Sequence, residues 1–372
     1  MATLFEPFRL GDLVLPHRIV MAPLTRRRAL PGKIPGPLNA EYYAQRAGAA
    51  LIISESTEVD PLSAGVPPTR PGIFDDGQQA GWRLVTDAIH AAGGRVFMQL
   101  SHMGRTAHPT QRIGEALPYG PSAIAAQGTV FTPTGPQPYV QPIEMTAADI
   151  EDAIRYYAEG ARRAKAAGFD GVELHGANGY LIDQFLRDGS NRRRDVYGGS
   201  VENRFRFLAE VIEATSDYWP ANRIGVRFSP TNPFQDMADS DPIRHFTYFA
   251  ERLNAYRLAY LHVVEYPQQK DGRPQVARHL RHTFDGAFIA AEGFTRQDAE
   301  RWLDENRADL IAFGQYFIAN PDLVERWKAG APLTPADKAT YYTLGPKGYT
   351  DYLSLPSRLF SLWTGVEPPR AE

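Results

Sequence analysis

Cysteine is absent from the 372-residue chain. Its absence excludes disulfides, thiolate metal sites, iron–sulfur clusters and a cysteine nucleophile. An excess of one charge is also lacking. Lys and Arg number 40 against 43 Asp and Glu, for a formal net charge of −3, and the interspersed signs favour no nucleic-acid partner. Two local runs, Arg26–Arg28 and Arg192–Arg194, read as solvated or loop-pinning rather than as a phosphate track. No apolar run is long enough to span a bilayer. The first residues, Met-Ala-Thr-Leu-Phe-Glu-Pro-Phe, hold no basic segment followed by a long apolar core, so no secretory signal is expected. These absences lead to the expectation of a soluble cytoplasmic protein; a small-molecule substrate and a monomer or homodimer are expected beside it, without being fixed by composition.

Several sequence signatures are missing too. No Gly-x-Gly-x-x-Gly follows the first strand pattern and no Walker-type lysine loop exists. No His-Glu-x-x-His pair suggests zinc, and no metal site is expected. Gly199-Ser200 lacks the surroundings of a nucleophile elbow.

What is present is a repeat of short apolar runs and longer helical patterns. Strands are predicted at Ile19–Ala22, Ala50–Ser54, Arg95–Leu100, Gly171–Leu174, Ile224–Phe228, Tyr260–Val264, Ala287–Ala290 and Leu310–Phe313. Helical stretches are predicted near 38–47, 79–92, 147–167, 201–217, 242–257, 274–284 and 295–306, with a last one at Pro321–Ala329. The clearest carries Ile150, Ile154, Tyr157, Ala158, Ala161 and Ala164 on one face and stops at Gly168. Ser200 fits the N-cap of the helix beginning near Val201. Strand–helix alternation predicts a parallel sheet, and eight repeats predict a closed (β/α)8 TIM barrel, read as one domain over residues 1–372. Residues 102–145 break the repeat after the third strand. They are rich in Pro and Gly, and Val130-Phe131 with Tyr139-Val140 suggest a small hairpin, so this stretch reads as a lid. The tail from Leu333 is read as packed irregular structure.

Side chains alternate along a strand. If Ile224, Val226 and Phe228 face the helices, Arg227 points into the barrel. The same parity turns Gln99 and Ser101 inward on the third strand and His175 inward past the fourth, with Thr25 just beyond the first. Polar groups thus converge on the C-terminal mouth, where this fold carries its chemistry. His175, Asn178 and Tyr180 leave one strand end within six residues. Two can donate N–H groups to one oxygen and the third can deliver a proton, a set suited to polarising a carbonyl and protonating the carbon beside it. His262 reads as a satisfied core histidine and Glu173 as a structural hydrogen-bonding group.

Several motifs, in order, resemble the classical branch of the Old Yellow Enzyme family. They include Met21-Ala-Pro-Leu-Thr25-Arg26, Gln99-Leu-Ser-His-Met-Gly-Arg105, His175 through Leu186, Asn191 through Arg206, Ile224 through Pro230 and Phe317 through Leu323. The resemblance implies an FMN-dependent reductase that takes hydride from NADH or NADPH and passes it to the C=C bond of α,β-unsaturated carbonyl or nitro compounds. It implies that Pro23, Leu24, Thr25, Ser56, Gln99, Arg227 and Tyr342 surround the flavin ring. Gly293, Gly314 and Gln315 would surround its phosphate. His175 and Asn178 would hold the substrate oxygen, and Tyr180 would protonate the α-carbon.

Four positions depart from the family pattern. Ser101 stands where many members have Trp, which predicts a wider substrate pocket. Glu292 stands where Gly is common, and Gln315 where many members place Arg on the phosphate. Together they make the phosphate cup more negative than usual. A Tyr that many members place near the substrate is absent around Val66-Pro67. Two rival readings follow. One is a tailoring isomerase or desaturase acting on a bulky substrate. The other is a barrel with weakened or lost FMN binding, acting as a non-redox enzyme or binding protein.

Overall fold

The computed structural model describes residues 3–64, 70–132, 134–266 and 272–355. Its centre is a closed barrel of eight parallel strands: β1 (Ile19–Met21), β2 (Leu51–Ile53), β3 (Val96–Ser101), β4 (Gly171–Gly176), β5 (Ile224–Phe228), β6 (Tyr260–Val264), β7 (Ala287–Ala291) and β8 (Leu310–Phe313). Each pairs with the next, and β8 returns to β1 through Phe313 opposite Met21. Each strand agrees with its predicted run to within two residues at either end.

The alternation along the strands sorts the core into two layers. Ile224, Val226 and Phe228 pack outward among helix residues, as do Val96, Met98 and Leu100 of β3. Val20, Leu51, Ile53, Phe97, Tyr260, Ile289 and Leu310 fill the barrel interior. Two glycines make room for large rings there. A Cβ at Gly171 would lie 2.4 Å from the Phe97 ring, and one at Gly225 would lie 2.3 Å from the Tyr260 ring. The two rings stack with centroids 5.9 Å apart. Below them a hairpin of Phe8–Leu10 and Leu13–Leu15 plugs the N-terminal end, with Leu10 and Leu15 fully buried in the inner layer. The strand pattern above did not include this hairpin.

The helices follow their predicted places, with local trimming. Ala147–Ala166 opens on a reciprocal cap between Thr146 and Asp149 and buries Ile150, Tyr157, Ala161 and Ala164, while Ile154 and Ala158 are half-buried. Gly168 follows it with φ +89°. Ser200 Oγ accepts from Asn203 N–H at the start of Val201–Ser216. The helix expected from 274 begins at Ala277, because the Glu265 carboxylate accepts the N–H groups of Val276 and Ala277 and fixes the first turn there. Two short helices, Leu181–Leu186 and Gln315–Ala319, were not among the predicted helical stretches.

Within 102–145 a hairpin does form, but Thr129–Thr132 pairs with Gly135–Pro138 rather than with Tyr139-Val140. Gly135 takes φ +101°, so the chain turns back earlier than the apolar pairs suggested. Of the arginine runs, Arg26 and Arg28 are buried and pin the tail, donating to the carbonyls of Gly348, Tyr341, Thr340 and Lys347. Arg193 likewise holds the Pro121 and Met145 carbonyls. Among the described residues no helix is long and apolar enough to cross a membrane.

Candidate active site

A cavity of about 720 Å³ opens at the C-terminal mouth of the barrel. Its wall includes Pro23, Leu24 and Thr25 after β1, Asn178 and Tyr180 after β4, Arg227 of β5, Gly293 after β7, Gly314 and Gln315 after β8, and Tyr342 of the tail. Ten of the fourteen residues singled out in the sequence thus share one wall. The other four, Ser56, Gln99, Ser101 and His175, lie behind it and are buried.

Gln99 is held inside the barrel. Its Nε2 donates to Glu173 Oε1 at 2.7 Å, and Glu173 Oε2 lies 2.8 Å from His262 Nδ1. Glu173 thus makes the structural hydrogen bonds expected of it, and His262 is fully buried. With one Nε2–H committed to Glu173, the Gln99 amide keeps its other N–H and its carbonyl oxygen for a ligand. Ser101 is not one of the residues that line the cavity. It is fully buried, its carbonyl accepts from Val59 N–H, and its Oγ has no partner. The position of the missing Tyr, Val66-Pro67, lies outside the described residues.

The strand-end trio is set by its neighbours. Asn178 takes φ +56°, a left-handed conformation that asparagine tolerates better than most residues. Its N–H donates to Ser229 Oγ at 2.7 Å, and Gln235 Nε2 donates to its carbonyl at 2.8 Å. Asn232 Nδ2 donates to Asn178 Oδ1 at 3.0 Å, so the Asn178 amide offers its own N–H groups elsewhere. His175 is buried with its ring 4.8 Å from that of Tyr180, and its Nδ1 has no partner. Burial, then the charges of Arg227 and Arg70, push the imidazole well below its usual range, so it is neutral at pH 7. The Tyr180 hydroxyl accepts from Arg70 Nη2 at 2.7 Å.

The far end of the cavity is built from glycines and one acid. A Cβ at Gly293 would lie 2.5 Å from the Tyr266 ring, and one at Gly314 would lie 3.1 Å from Leu24. Gly314 caps the short helix Gln315–Ala319. Glu292 takes φ +94° and lines the wall. It is half-buried, and its charge, followed by burial and a shared hydrogen bond, raises the Tyr266 phenol above its usual range.

A profile of the NADH:flavin oxidoreductase / NADH oxidase family matches residues 3–334. The chain belongs to that family. It is 43% identical to 12-oxophytodienoate reductase 7 of Oryza sativa subsp. japonica, over 94% of each chain. It is 40% identical to a probable flavin mononucleotide-dependent alkene reductase of Leishmania infantum, over 94% of this chain and 96% of that one. Its fold matches the structure of morphinone reductase in complex with tetrahydroNAD with a TM-score of 0.90 at 42% identity, covering 96% of this chain and 98% of that one. The protein is an FMN-dependent member of this Old Yellow Enzyme family and uses NAD(P)H to reduce activated C=C bonds. The reading of a barrel without a flavin is thereby set aside. Residues inside the barrel fit the cofactor: Arg227 Nε, Ser56 Oγ and His175 Nδ1 are buried without partners.

Among the wall residues that escaped the sequence reading are two arginines, Arg27 and Arg70. Arg70 sits in no motif quoted above. Arg27 was absorbed into a run of three arginines whose outer members pin the tail. Charge density alone does not separate a pinning arginine from one facing a cavity.

Proposed function

We propose that His175 and Asn178 hold the carbonyl oxygen of an α,β-unsaturated substrate while Tyr180 protonates its α-carbon. The observation that carries this reading is the orientation of Asn178. With Oδ1 taken by Asn232, its N–H groups are the donors that remain, beside a neutral His175 ring that also donates one N–H. Two donors on one oxygen favour negative charge as it develops there. Tyr180 is buried, so the proton it gives reaches carbon with little competition from bulk water.

FMN, when bound, supplies the hydride that reaches the β-carbon. Pro23, Leu24, Thr25, Ser56, Gln99 and Tyr342 would hold its ring, and Arg227 would place a positive charge beside the ring. Gly293, Gly314 and Gln315 would approach its phosphate through backbone and amide groups. Segment 102–145 is assigned as a cover over the substrate side. NADH and NADPH are both admitted as reductants.

Stopped-flow absorbance tests the reading directly. Purified holoprotein is reduced anaerobically with NADPH or NADH and mixed with cyclohexenone. Reoxidation that saturates with enone and yields cyclohexanone supports it. A reduced protein that no enone, maleimide or nitroalkene reoxidises would end it.

A further inference from the structure

Asn178 is followed by Gly179, and the two form the only Asn-Gly pair in the chain. That dipeptide is chemically fragile. The glycine nitrogen has no neighbouring side chain of its own to shield it, and it can attack the Asn carboxamide carbon. The new N–C bond displaces ammonia and leaves a succinimide. Water then opens the ring at either carbonyl, to aspartate or isoaspartate. The change is a hydrolysis and needs no oxidant or reductant.

The fold leaves neither residue free to change. Gly179 stands at φ +77°, and a Cβ there would lie 2.9 Å from both Gln235 Cβ and Met237 Cγ. Asn178 is the donor proposed above for the substrate oxygen. The barrel mouth therefore carries the fragile pair at a position where substitution is closed on both sides.

The surroundings hold both of the groups that would react. The Gly179 N–H donates to Asp183 Oδ2 at 2.8 Å. Asp183 lies fully buried in the first turn of Leu181–Leu186. Its Oδ1 accepts from Arg187 Nε at 2.8 Å, and the ion pair keeps it a carboxylate. Arg187 also donates to the carbonyls of Asn232 and Ser229. Those two residues are the ones that bind Asn178, at its Oδ1 and its N–H. Attack by the Gly179 nitrogen requires loss of its proton. A carboxylate at hydrogen-bond distance opposes that loss, because the amide anion would face a like charge and forfeit the hydrogen bond.

From this arrangement we infer that Asn178 is a latent deamidation site, and that Asp183 suppresses the reaction by keeping the proton on the Gly179 nitrogen. The consequence for activity rests on the reductase reading. Deamidation replaces the N–H donors of Asn178 with a carboxylate, which accepts only, so the substrate oxygen loses a donor and meets a negative charge. Reduction of the flavin by NADPH continues.

The test incubates the holoenzyme in mildly alkaline buffer and follows the tryptic peptide 166–187 by mass spectrometry, with isoaspartate scored by methyltransferase labelling. The wild-type chain unfolded in urea sets the rate of the unprotected pair. Native wild type deamidates at least about 100-fold more slowly than that chain. Asp183→Asn, with its fold checked by a melting curve, deamidates at least about tenfold faster than native wild type. Asn232→Ala frees the Asn178 side chain but leaves the Gly179 N–H on Asp183, and it keeps the wild-type rate. A native wild-type rate equal to the unfolded rate overturns the inference. So does a folded Asp183→Asn that reacts no faster than wild type. So does an accelerated Asn232→Ala, which would give the protection to side-chain orientation instead. Should Asp183→Asn fail to fold, the wild-type and Asn232→Ala comparisons decide. Activity is read separately: deamidated enzyme that cyclohexenone still reoxidises at the wild-type rate counts against the role given to Asn178 in the reductase reading and leaves the protection by Asp183 standing.

Discussion

Arg70 donates a hydrogen bond to the Tyr180 hydroxyl at 2.7 Å, and its guanidinium lies 5.1 Å from the centroid of the same ring. Arginine has donors only, so the phenol oxygen must accept and its proton must point away from Arg70. The bond also stabilises the phenolate that proton transfer would leave behind. Tyr180→Phe is expected to slow flavin reoxidation by an enone by about 100-fold or more, the usual scale for a lost general acid. Flavin reduction by NADPH should keep its wild-type rate. Separate stopped-flow measurement of the two half-reactions checks both statements.

Asn232 acts one layer further out. Its amide fixes the orientation of Asn178. In Asn232→Ala the Asn178 amide is free to rotate, and about 1 kcal/mol of orientation is lost. The expected result is a fall of about fivefold in kcat/KM for cyclohexenone. Substituting a residue that meets no substrate should leave the thermal transition close to wild type, which a melting curve would show.

Glu292 places a side chain at φ +94° and a negative charge on the cavity wall. Glu292→Gly removes both. Unfolding stability should rise by about 1 kcal/mol from relief of backbone strain. FMN affinity should rise by about tenfold from loss of one opposing charge. Denaturant unfolding of the apoprotein and fluorescence titration with FMN read the two effects separately. Equal FMN affinity in the two proteins would mean that Glu292 does not oppose the phosphate.

A pH effect on stability comes from His17. Its Nε2 lies 2.9 Å from the Gly48 carbonyl and its Nδ1 accepts the Ile19 N–H, an arrangement that needs the neutral ring. Burial holds it down at about 4. The unfolded chain binds this proton near pH 6.5 and the folded chain does not, so stability is full above 6.5 and falls as pH drops toward 4. The loss from this group is on the order of 3 kcal/mol. Urea unfolding between pH 7 and 4 should show it, with a shallower slope in His17→Gln.

Most of the barrel was legible because a strand buried on both faces reads as a nearly uninterrupted apolar run, as Leu51–Ile53 and Leu310–Phe313 do. The N-terminal hairpin was not. Its strands have three residues each, too short for alternation to register, and only Leu10 and Leu15 are buried. At the mouth, Asn178 and Tyr180 could be found because they cluster on one strand end. Arg70 could not, since its partner Tyr180 is 110 residues away in the chain. Ser101 looked like an opening in the pocket, yet it is fully buried at the end of β3, where Glu58 pairs with it, and does not line the cavity. Which side of a strand end stays open is decided by segments that the local sequence does not mention.

The pinning of the tail by Arg26 and Arg28 has a bearing on synthesis. Thr25 and Arg27 sit in the loop that those two arginines anchor, and the acceptors on Tyr341, Thr340 and Gly348 lie 312–322 residues later in the chain. Arg46 is tied in the same way to the carbonyls of Phe317, Ile318 and Tyr349. A nascent chain still held on the ribosome at residue 335 has every barrel strand but none of the tail acceptors for Arg26 and Arg28. The edge of the pocket that carries Thr25 and Arg27 is therefore among the last parts of the protein to set, and a stop codon near the 3′ end of the reading frame would disable a site built by its 5′ end.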